Sequence, residues 1–566
     1  MRNTITNAVR IAAVVSIALV GACESIAQVV ERERPAEWAN LVRGGRFMDR
    51  FEPSKAIAPL TSDCWGADGV KPRDVKNGIE DAKYSYWGGN IRRDDKGKYH
   101  LFVARWPENS KEGHFYWAQS DVCHAVSDSM EGPFVPIEVL GKGHNPEVFR
   151  CADGSWCIYV IWGCFRAPTL DGPWKREGQL PMVGTDGKWT GDDSNFSFCE
   201  RDDGSVLAIS RHGHLWISPD GIQPFAKKSD KSIYPNIDID TFEDPVIWKD
   251  HVQYNVIVND WKGRIAYHLV SPDGVSWETR PGEAYTPGIA VVDTDSGPVT
   301  NNWFKYERMK VFQDEYGRAV QANFAVIDVV KWDDKASDAH SSKNITIPLT
   351  PGRLLELLPR KSAADACRVR IRAEKGFNPI ADIDRKSLRF GLPYEVSMGG
   401  GVAPKGFSPD GDNLVVEFPA VALSGPFAKL LGREKCGRLL FGEMRVNETS
   451  TVSNSGRVVE DFNDGWEFSR DRQNWRAVSV PHDWGIEGPF HPQGDASTAK
   501  LPWSGTGWYR KTLNLPMPPE GRRIFLDFDG IMCDGTVYVN DQPCGHRAYG
   551  YLGRRSVRKE PLARLK

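Results

Sequence analysis

The chain has 566 residues, more than one hydrophobic core usually organises, so about two to four domains are expected. Lysine plus arginine (72) and aspartate plus glutamate (75) leave a net charge of −3, which excludes the strong basic excess of a nucleic-acid-binding protein. Hydrophobic residues (40%) and charged residues (26%) are those of a folded soluble protein. The compositional signal is aromatic: twenty tryptophans exceed what core packing usually needs, and flat indole faces stack well on the apolar face of a sugar ring.

In chain order, Arg2 and Arg10 flank the start of an apolar run over residues 11–22, and Ser25-Ile26-Ala27 offers a small-x-small cleavage site. Residues 1–27 therefore read as an export signal, too short to be a comfortable membrane span. Val20-Gly21-Ala22-Cys23 resembles a bacterial lipobox and would place a lipid anchor on Cys23. A secreted, periplasmic or outer-membrane lipoprotein is expected, with no transmembrane span after the signal. Ten of the eleven cysteines lie beyond Cys23, without the close pairs of a structural zinc site. Cys151, Cys157 and Cys164 share a segment, but strands at that spacing need not bring them together. Export is compatible with one or two disulfides.

From about residue 84 to 330 a unit repeats: strand, turn, strand, closing aromatic. The aromatics Phe134, Trp174, Phe225 and Trp277 follow one another at steps of 40, 51 and 52 residues, the length of a four-stranded blade. Apolar runs such as Tyr99–Val103, Trp156–Val160, Val206–Ser210 and Tyr254–Val258 are dense in β-branched and aromatic residues. Turns at Asp95-Lys96-Gly97, Asp153-Gly154, Asp203-Gly204 and Asp273-Gly274 separate them. The spacing predicts an all-β chain with a five-bladed β-propeller over residues 50–350, whose ring the chain before Tyr84 can help to close. Residues 353–360 read as a short helix or a linker. A small β-sandwich is expected over 351–445, a polar linker over 446–457 and a further β-domain over 458–566.

In a propeller the innermost strand of each blade lines a central channel, so the polar openings of those strands meet at one mouth. The openings are Trp87-Gly88-Gly89-Asn90, His144-Asn145-Pro146-Glu147, Asp192-Asp193-Ser194-Asn195, Phe242-Glu243-Asp244-Pro245 and Tyr306-Glu307-Arg308. Four of the five carry carboxylates. Glycosidic cleavage needs one protonated carboxyl and one ionised carboxylate, and neighbouring acids push their pKa values apart. Glu243 is the candidate general acid, Asp193 the candidate base, and Glu147 the group that tunes or orients the acid. Trp87, Asn90, His144, Asp244, Glu307, Arg308 and Arg211 are candidate substrate-binding residues. Any one of these acids could instead cap a turn or pair with an arginine; the set is harder to explain that way. His212-Gly213-His214 puts two imidazoles on one strand face, but no third metal ligand can be named, so neither metal nor cofactor is expected.

On these motifs residues 84–330 resemble the five-bladed propeller glycosidases, the arabinosidases, xylosidases and invertase-like enzymes. The resemblance implies acidic residues at the first three openings acting as base, pKa modulator and acid. Asn145-Pro146-Glu147 resembles the second-blade motif and Glu243-Asp244-Pro245 the setting of the acid, while the first opening has no carboxylate. The implied activity is hydrolysis of O-glycosidic bonds in a poly- or oligosaccharide. Two alternatives stay open: a non-catalytic carbohydrate-binding protein, and a polysaccharide lyase using His144 or Tyr86 as base with Arg105, Arg211 and Arg308 facing a uronic acid.

Further on, Asp461–Phe468, Val480-Pro481-His482-Asp483-Trp484, Gly507-Trp508-Tyr509-Arg510-Lys511 and Val537-Tyr538-Val539-Asn540 resemble the sugar-binding jelly roll that opens family 2 β-galactosidases and β-glucuronidases. Family members run on into an immunoglobulin-like domain and a catalytic barrel, whereas this chain stops at Lys566 after a basic stretch, residues 552–559, poor in strand signal. An incomplete jelly roll without family 2 catalytic residues is the expectation.

Overall fold

The computed structural model describes residues 29–60, 74–190, 193–235, 241–301, 303–336, 340–360, 365–446, 462–487, 493, 505–512, 525–528, 531, 534–547 and 554–557. The export signal with Cys23, residues 447–457 of the expected linker and Asp192 lie outside the described residues. Two compact units result, Met1–Asn454 and Ser455–Lys566. Among the described residues regular structure is almost entirely β, and the α-helices are the short segments Pro379–Asp382 and Pro393–Ser397. Among the described residues no helix is long and apolar enough to cross a membrane.

The first unit contains the propeller. Blade one is Tyr84–Arg93, Tyr99–Pro107, Asp121–Ser127 and Val135–Lys142, paired antiparallel in that order. Blade two is His144–Arg150, Trp156–Ile161, Gly163–Ala167 and Lys175–Glu177. Blade three is Ser197–Glu200, Val206–Ile209, Leu215–Ser218 and Phe225–Lys227, with Met182–Val183 added parallel to its outer edge. Blade four is Phe242–Lys249, Tyr254–Asp260, Ile265–Ser271 and Glu278–Tyr285. Blade five has three strands, Lys305–Gln313, Ala319–Ile327 and Ser342–Pro348. The five inner strands adjoin in cyclic order, the fifth meeting the first.

The ring is closed by the N-terminal segment. Ile79 bridges Asn344, Phe51 bridges Leu349, and Glu52 N–H donates to Pro348 O at 2.9 Å. Residues before Tyr84 thus edge the last blade, as their position suggested.

The turn chemistry recurs with the blades. Between the first and second strands one aspartate carboxylate accepts backbone N–H groups two to four residues on: Asp94 from Lys96 and Lys98, Asp153 from Ser155, Asp203 from Ser205, Asp250 from Val252 and Gln253, Asp314 from Tyr316 and Arg318. Phe134 and Phe225 are buried at the start of their fourth strands, and Trp174 and Trp277 pack half-buried at equivalent places against the neighbouring cores. Inner strands are buried on both faces, so they show no polar–apolar alternation.

Residues 353–360 are neither helix nor linker. Leu355–Leu357 is a strand pairing with Cys367–Ile371, because its apolar residues alternate around Glu356, which meets Arg370 at 2.6 Å. That sheet (with Asn413–Phe418 and Gly406–Asp410) and the sheet Arg389–Gly391, Phe427–Arg433, Leu439–Arg445 share a core of Val369, Ile371, Phe390, Phe418, Leu430 and Leu440. Cys151, Cys157 and Cys164 do come together in the core between blades two and three, where Arg166 donates to Cys151 Sγ at 3.2 Å. The hairpin carrying Cys157 and Cys164 folds them onto one face. These three and Cys123, Cys199, Cys367 and Cys436 are free thiols.

In the second unit Trp466–Ser469 lies between Arg476–Val478 and Trp508–Arg510. Phe468 packs with His482, Trp484 and Tyr509, and His482 Nδ1 meets the Tyr509 hydroxyl at 2.7 Å. Gly535–Val539 and Gln542–Arg547 form a hairpin whose turn residues Asn540 and Asp541 both have positive φ (49° and 61°), as a type I′ turn requires. The basic stretch 552–559 carries a strand after all: Arg554–Val557 pairs antiparallel with Phe525–Phe528. Ladder hydrogen bonds come from the backbone, so a charged sequence can still extend a sheet.

Candidate active site

Each inner strand opens with the same distortion. Positive φ marks every opening: Gly88 and Gly89 together in blade one, then Asn145 (53°), Asn195 (50°), Asp244 (54°) and Arg308 (52°). In four blades the pairing register shifts there, between Trp87 and Asn90, His144 and Glu147, Glu243 and Val246, and Glu307 and Lys310. Such bulges re-aim the side chains on either side of them. The common register aligns Trp87, His144, Ser194, Glu243 and Glu307 at the mouth, and Asn90, Glu147, Ser197, Val246 and Lys310 one layer deeper.

The deeper layer ties the blades together. Lys310 Nζ lies 2.9 Å from Glu147 Oε2 and donates to Pro245 O at 2.8 Å. Ser197 Oγ donates to Glu147 Oε1 at 2.6 Å and accepts from Ile247 N–H. Asn90 Oδ1 accepts from Val148 N–H at 3.0 Å. All four side chains are buried. Glu147 and Asn90, read from sequence as site residues, therefore sit beneath the mouth and link blade to blade.

Arg308 lies between the layers, fully buried. Its Nη1 is 3.0 Å from Asp244 Oδ1, its Nη2 3.7 Å from Glu147 Oε2, and it donates to Asn145 O at 3.4 Å. Gly88 faces this side chain: a Cβ there would stand 3.2 Å from Arg308 Nε. At Gly88 the arginine therefore leaves little room for a side chain.

The mouth itself is held by Glu243 and Glu307. Glu243 Oε1 accepts from Asn195 Nδ2 at 3.1 Å, and Asn195 Oδ1 accepts from Asn145 Nδ2 at 2.9 Å. Arg211 approaches Glu243 at 3.8 Å, and the carboxyl stays 24% exposed. Burial, then the charge of Asp244, pushes the Glu243 pKa up to about 7; Glu307 adds to the rise while Lys331 and Arg211 oppose it. Glu307 is buried yet held below the usual carboxylate range, because Lys331 (2.6 Å) and Lys305 (3.4 Å) outweigh its desolvation. Two carboxylates in one mouth are thus driven in opposite directions.

Other expected residues are placed less openly. Trp87 is buried, edge-on to His114, with Lys331 Nζ 4.8 Å from its ring centre. His144 is buried against Ser120 Oγ at 3.0 Å, and burial drops its pKa well below the ordinary imidazole value. Asp193 does not point at Glu243; its carboxylate meets the imidazoles of His212 and His214. Tyr86 is fully buried and hydrogen-bonded to Asp81, and burial pushes its phenol far up, so it cannot serve as a surface base.

Sequence reasoning missed the rim. The inner strand begins where the second strand of its antiparallel pair ends, so the turns after the second strands surround the mouth. Those turns bring Trp117 from blade one, Trp162 from blade two, Trp261 from blade four and Trp332 with Lys331 from blade five. Trp162 is 57% exposed, parallel to Trp117 (6.3 Å, 11°), and held at φ 70°, a conformation costly for a bulky residue. The signal was present: Trp162, Trp261 and Trp332 each follow the second-strand run of their blade. Trp162→Gly is expected to leave the melting temperature unchanged or higher, by relieving about 1–2 kcal/mol of left-handed strain. Paired thermal melts of the parent and the variant check this.

No family model matches the chain. Over 111 residues it is 34% identical to the beta-galactosidase BoGH2A of Bacteroides ovatus, a match covering 17% of this chain and 13% of that protein. It is 31% identical over 94 residues to a beta-glucuronidase of Bacteroides fragilis, 16% of this chain and 12% of the other. In sequence it is similar to part of these enzymes. The chain spans only 13% and 12% of the length of these two curated relatives. Among solved structures, Zg3597, a family 117 glycoside hydrolase from Zobellia galactanivorans, superposes with a TM-score of 0.37 at 11% identity, over 53% of this chain and 89% of that one.

Proposed function

We propose that the protein is a glycoside hydrolase acting on a poly- or oligosaccharide at the propeller mouth. Glu243 donates the proton to the departing glycosidic oxygen, and Glu307, kept ionised by Lys331 and Lys305, is the opposing carboxylate. Asp193, the base expected from sequence, has its oxygens occupied by two histidines, which favours Glu307 in that role. Trp117, Trp162, Trp261 and Trp332 offer flat faces to sugar rings, and the second unit adds a saccharide-binding module. The N-terminal signal adds export to this reading, with a lipid on Cys23 as its anchored form.

The single observation behind the reading is the opposed pair: a largely buried acid with a pKa of about 7 beside a carboxylate held below the usual range. The test is incubation of the full chain with a panel of plant and algal polysaccharides, followed by product analysis. New reducing ends support hydrolysis. An unsaturated, ultraviolet-absorbing product would replace it with lyase chemistry, and saccharide binding without products would leave a binding protein.

A further inference from the structure

We propose that Asp193, His212 and His214 bind one divalent transition-metal ion of the zinc class at a solvent-open position on the rim of blade three. This inference stands apart from the hydrolase reading and is tested without activity. His214 Nδ1 lies 2.7 Å from Asp193 Oδ2, and His212 Nδ1 meets Asp193 Oδ1 on the other side. The ligand atoms of the three residues all fall within 4.8 Å of one another. Sequence alone offered two imidazoles and no third ligand; the fold supplies it from 19 and 21 residues upstream.

The donor set is two imidazole nitrogens and one carboxylate oxygen, a combination that suits zinc and its first-row neighbours rather than calcium or magnesium. Zinc bonds of about 2.0–2.2 Å hold ligand atoms roughly 3–3.5 Å apart, so a slight opening of the triad admits an ion. Asp193 has no lysine or arginine partner among the described residues. Among the described residues its carboxylate pairs only with the two imidazoles. The Asp193 side chain is 6% exposed, whereas His212 is 42% and His214 19% exposed, so the carboxylate forms the floor and the outer side faces solvent. Three protein ligands and one open position is the arrangement that leaves room for water or a substrate oxygen.

The triad is also rigidly mounted. The turn carrying the histidines is closed by Gly213 N–H to Ser210 O (2.9 Å) and Ser210 N–H to His214 O (3.1 Å). It is fastened to the Asp193 segment by Arg211 N–H to Ser194 O at 3.0 Å, and on its far side by the Tyr234 hydroxyl to Ser210 O at 2.7 Å. Gly213 has φ +78°, and a Cβ there would collide with Ser232. Only glycine lets both histidines turn back to one carboxylate. Arg211 and Asn195, which touch Glu243, are close in sequence to these ligands, so the ion's free position would take an oxygen donor such as water or a sugar hydroxyl beside the mouth.

A second group, Asp94, His100 and Asp171, lacks these features. His100 is fully buried with Nδ1 2.8 Å from His124 Nε2, and Lys96 already pairs with Asp171 at 3.0 Å. It serves as the control. Tag-free protein, stripped with a chelator and dialysed, is titrated with cobalt(II) chloride while its visible absorption is followed, and with zinc chloride in a calorimeter. One equivalent should bind, with affinity reduced at least ~100-fold in His212→Ala and Asp193→Asn and unchanged in Asp171→Asn. If Asp193→Asn does not fold, the exposed position of His212 lets its variant carry the test. Absence of binding by the parent, parental affinity in the triad variants, or loss confined to Asp171→Asn would each overturn the proposal.

Discussion

If the protein is the hydrolase proposed above, Glu243→Gln should lower turnover by about 10²–10⁴-fold, the usual contribution of a general acid, while saccharide affinity stays within a few-fold. Glutamine keeps the size of the side chain and still accepts the Asn195 hydrogen bond, but it has no proton to give. In the parent the acid must be protonated, so kcat/KM declines as pH rises through about 7, and this limb disappears from the residual activity of the variant. The groups that set the limb face Glu243 from three blades: Asp244 and Glu307 raise its pKa, and Lys331 and Arg211 lower it.

The same group has a stability signature of known sign. Its folded pKa, about 7, stands above the ordinary 4.5, so its contribution to stability is complete below the unfolded value and is lost as pH rises through 7. Glu243→Gln should therefore gain thermal stability over the parent at pH 8 and little at pH 4. Unchanged turnover, or a surviving alkaline limb, would remove Glu243 from the acid role.

Lys310→Met should destabilise the first unit by about 3–5 kcal/mol, because it leaves the Glu147 carboxylate buried without its principal counter-ion. Lys310 is fully buried, and burial drops its pKa to about 8 despite Glu147, so the ammonium is still charged near neutrality. The double variant Glu147→Gln/Lys310→Met removes both charges and should recover most of the loss. Urea unfolding of the parent, both singles and the double gives the coupling directly. A Lys310→Met protein within 1 kcal/mol of the parent, an order-of-magnitude threshold for a surface pair, would show that this contact is not what joins blades two and five.

What could be read from sequence was whatever the chain encodes locally. Asp153-Gly154 and Asp203-Gly204 form turns because an aspartate carboxylate captures nearby N–H groups, and Phe134 and Trp174 recur because each blade must bury one aromatic against its neighbour. The five blades followed from those signals. The layering of the channel did not, because the bulge positions are filled by Gly88, Asn145, Asn195, Asp244 and Arg308, five residues sharing a backbone angle and no side-chain chemistry. Without that register, Glu147 and Glu243 looked equivalent, whereas one lies beneath the mouth bound to Lys310 and the other within it. Arg308 read as a sugar ligand, yet it fills the space that Gly88 vacates. Asp193 read as a base because its histidine partners are separated from it by a whole hairpin. Leu355–Leu357 was ambiguous because three residues are too few to tell a helical from an extended period.

The bridges that tie Phe51 and Ile79 to the last blade have a kinetic corollary. These residues leave the ribosome long before Asn344 and Leu349 exist, so the first-made part of the circle waits, unpaired, for the last. Contacts of such long sequence separation slow folding, because chain entropy is lost before any bond rewards it. Assembly of blades one to four should precede a slow final latch, and a nascent chain stopped short of residue 342 should remain open and protease-sensitive at its N-terminal end.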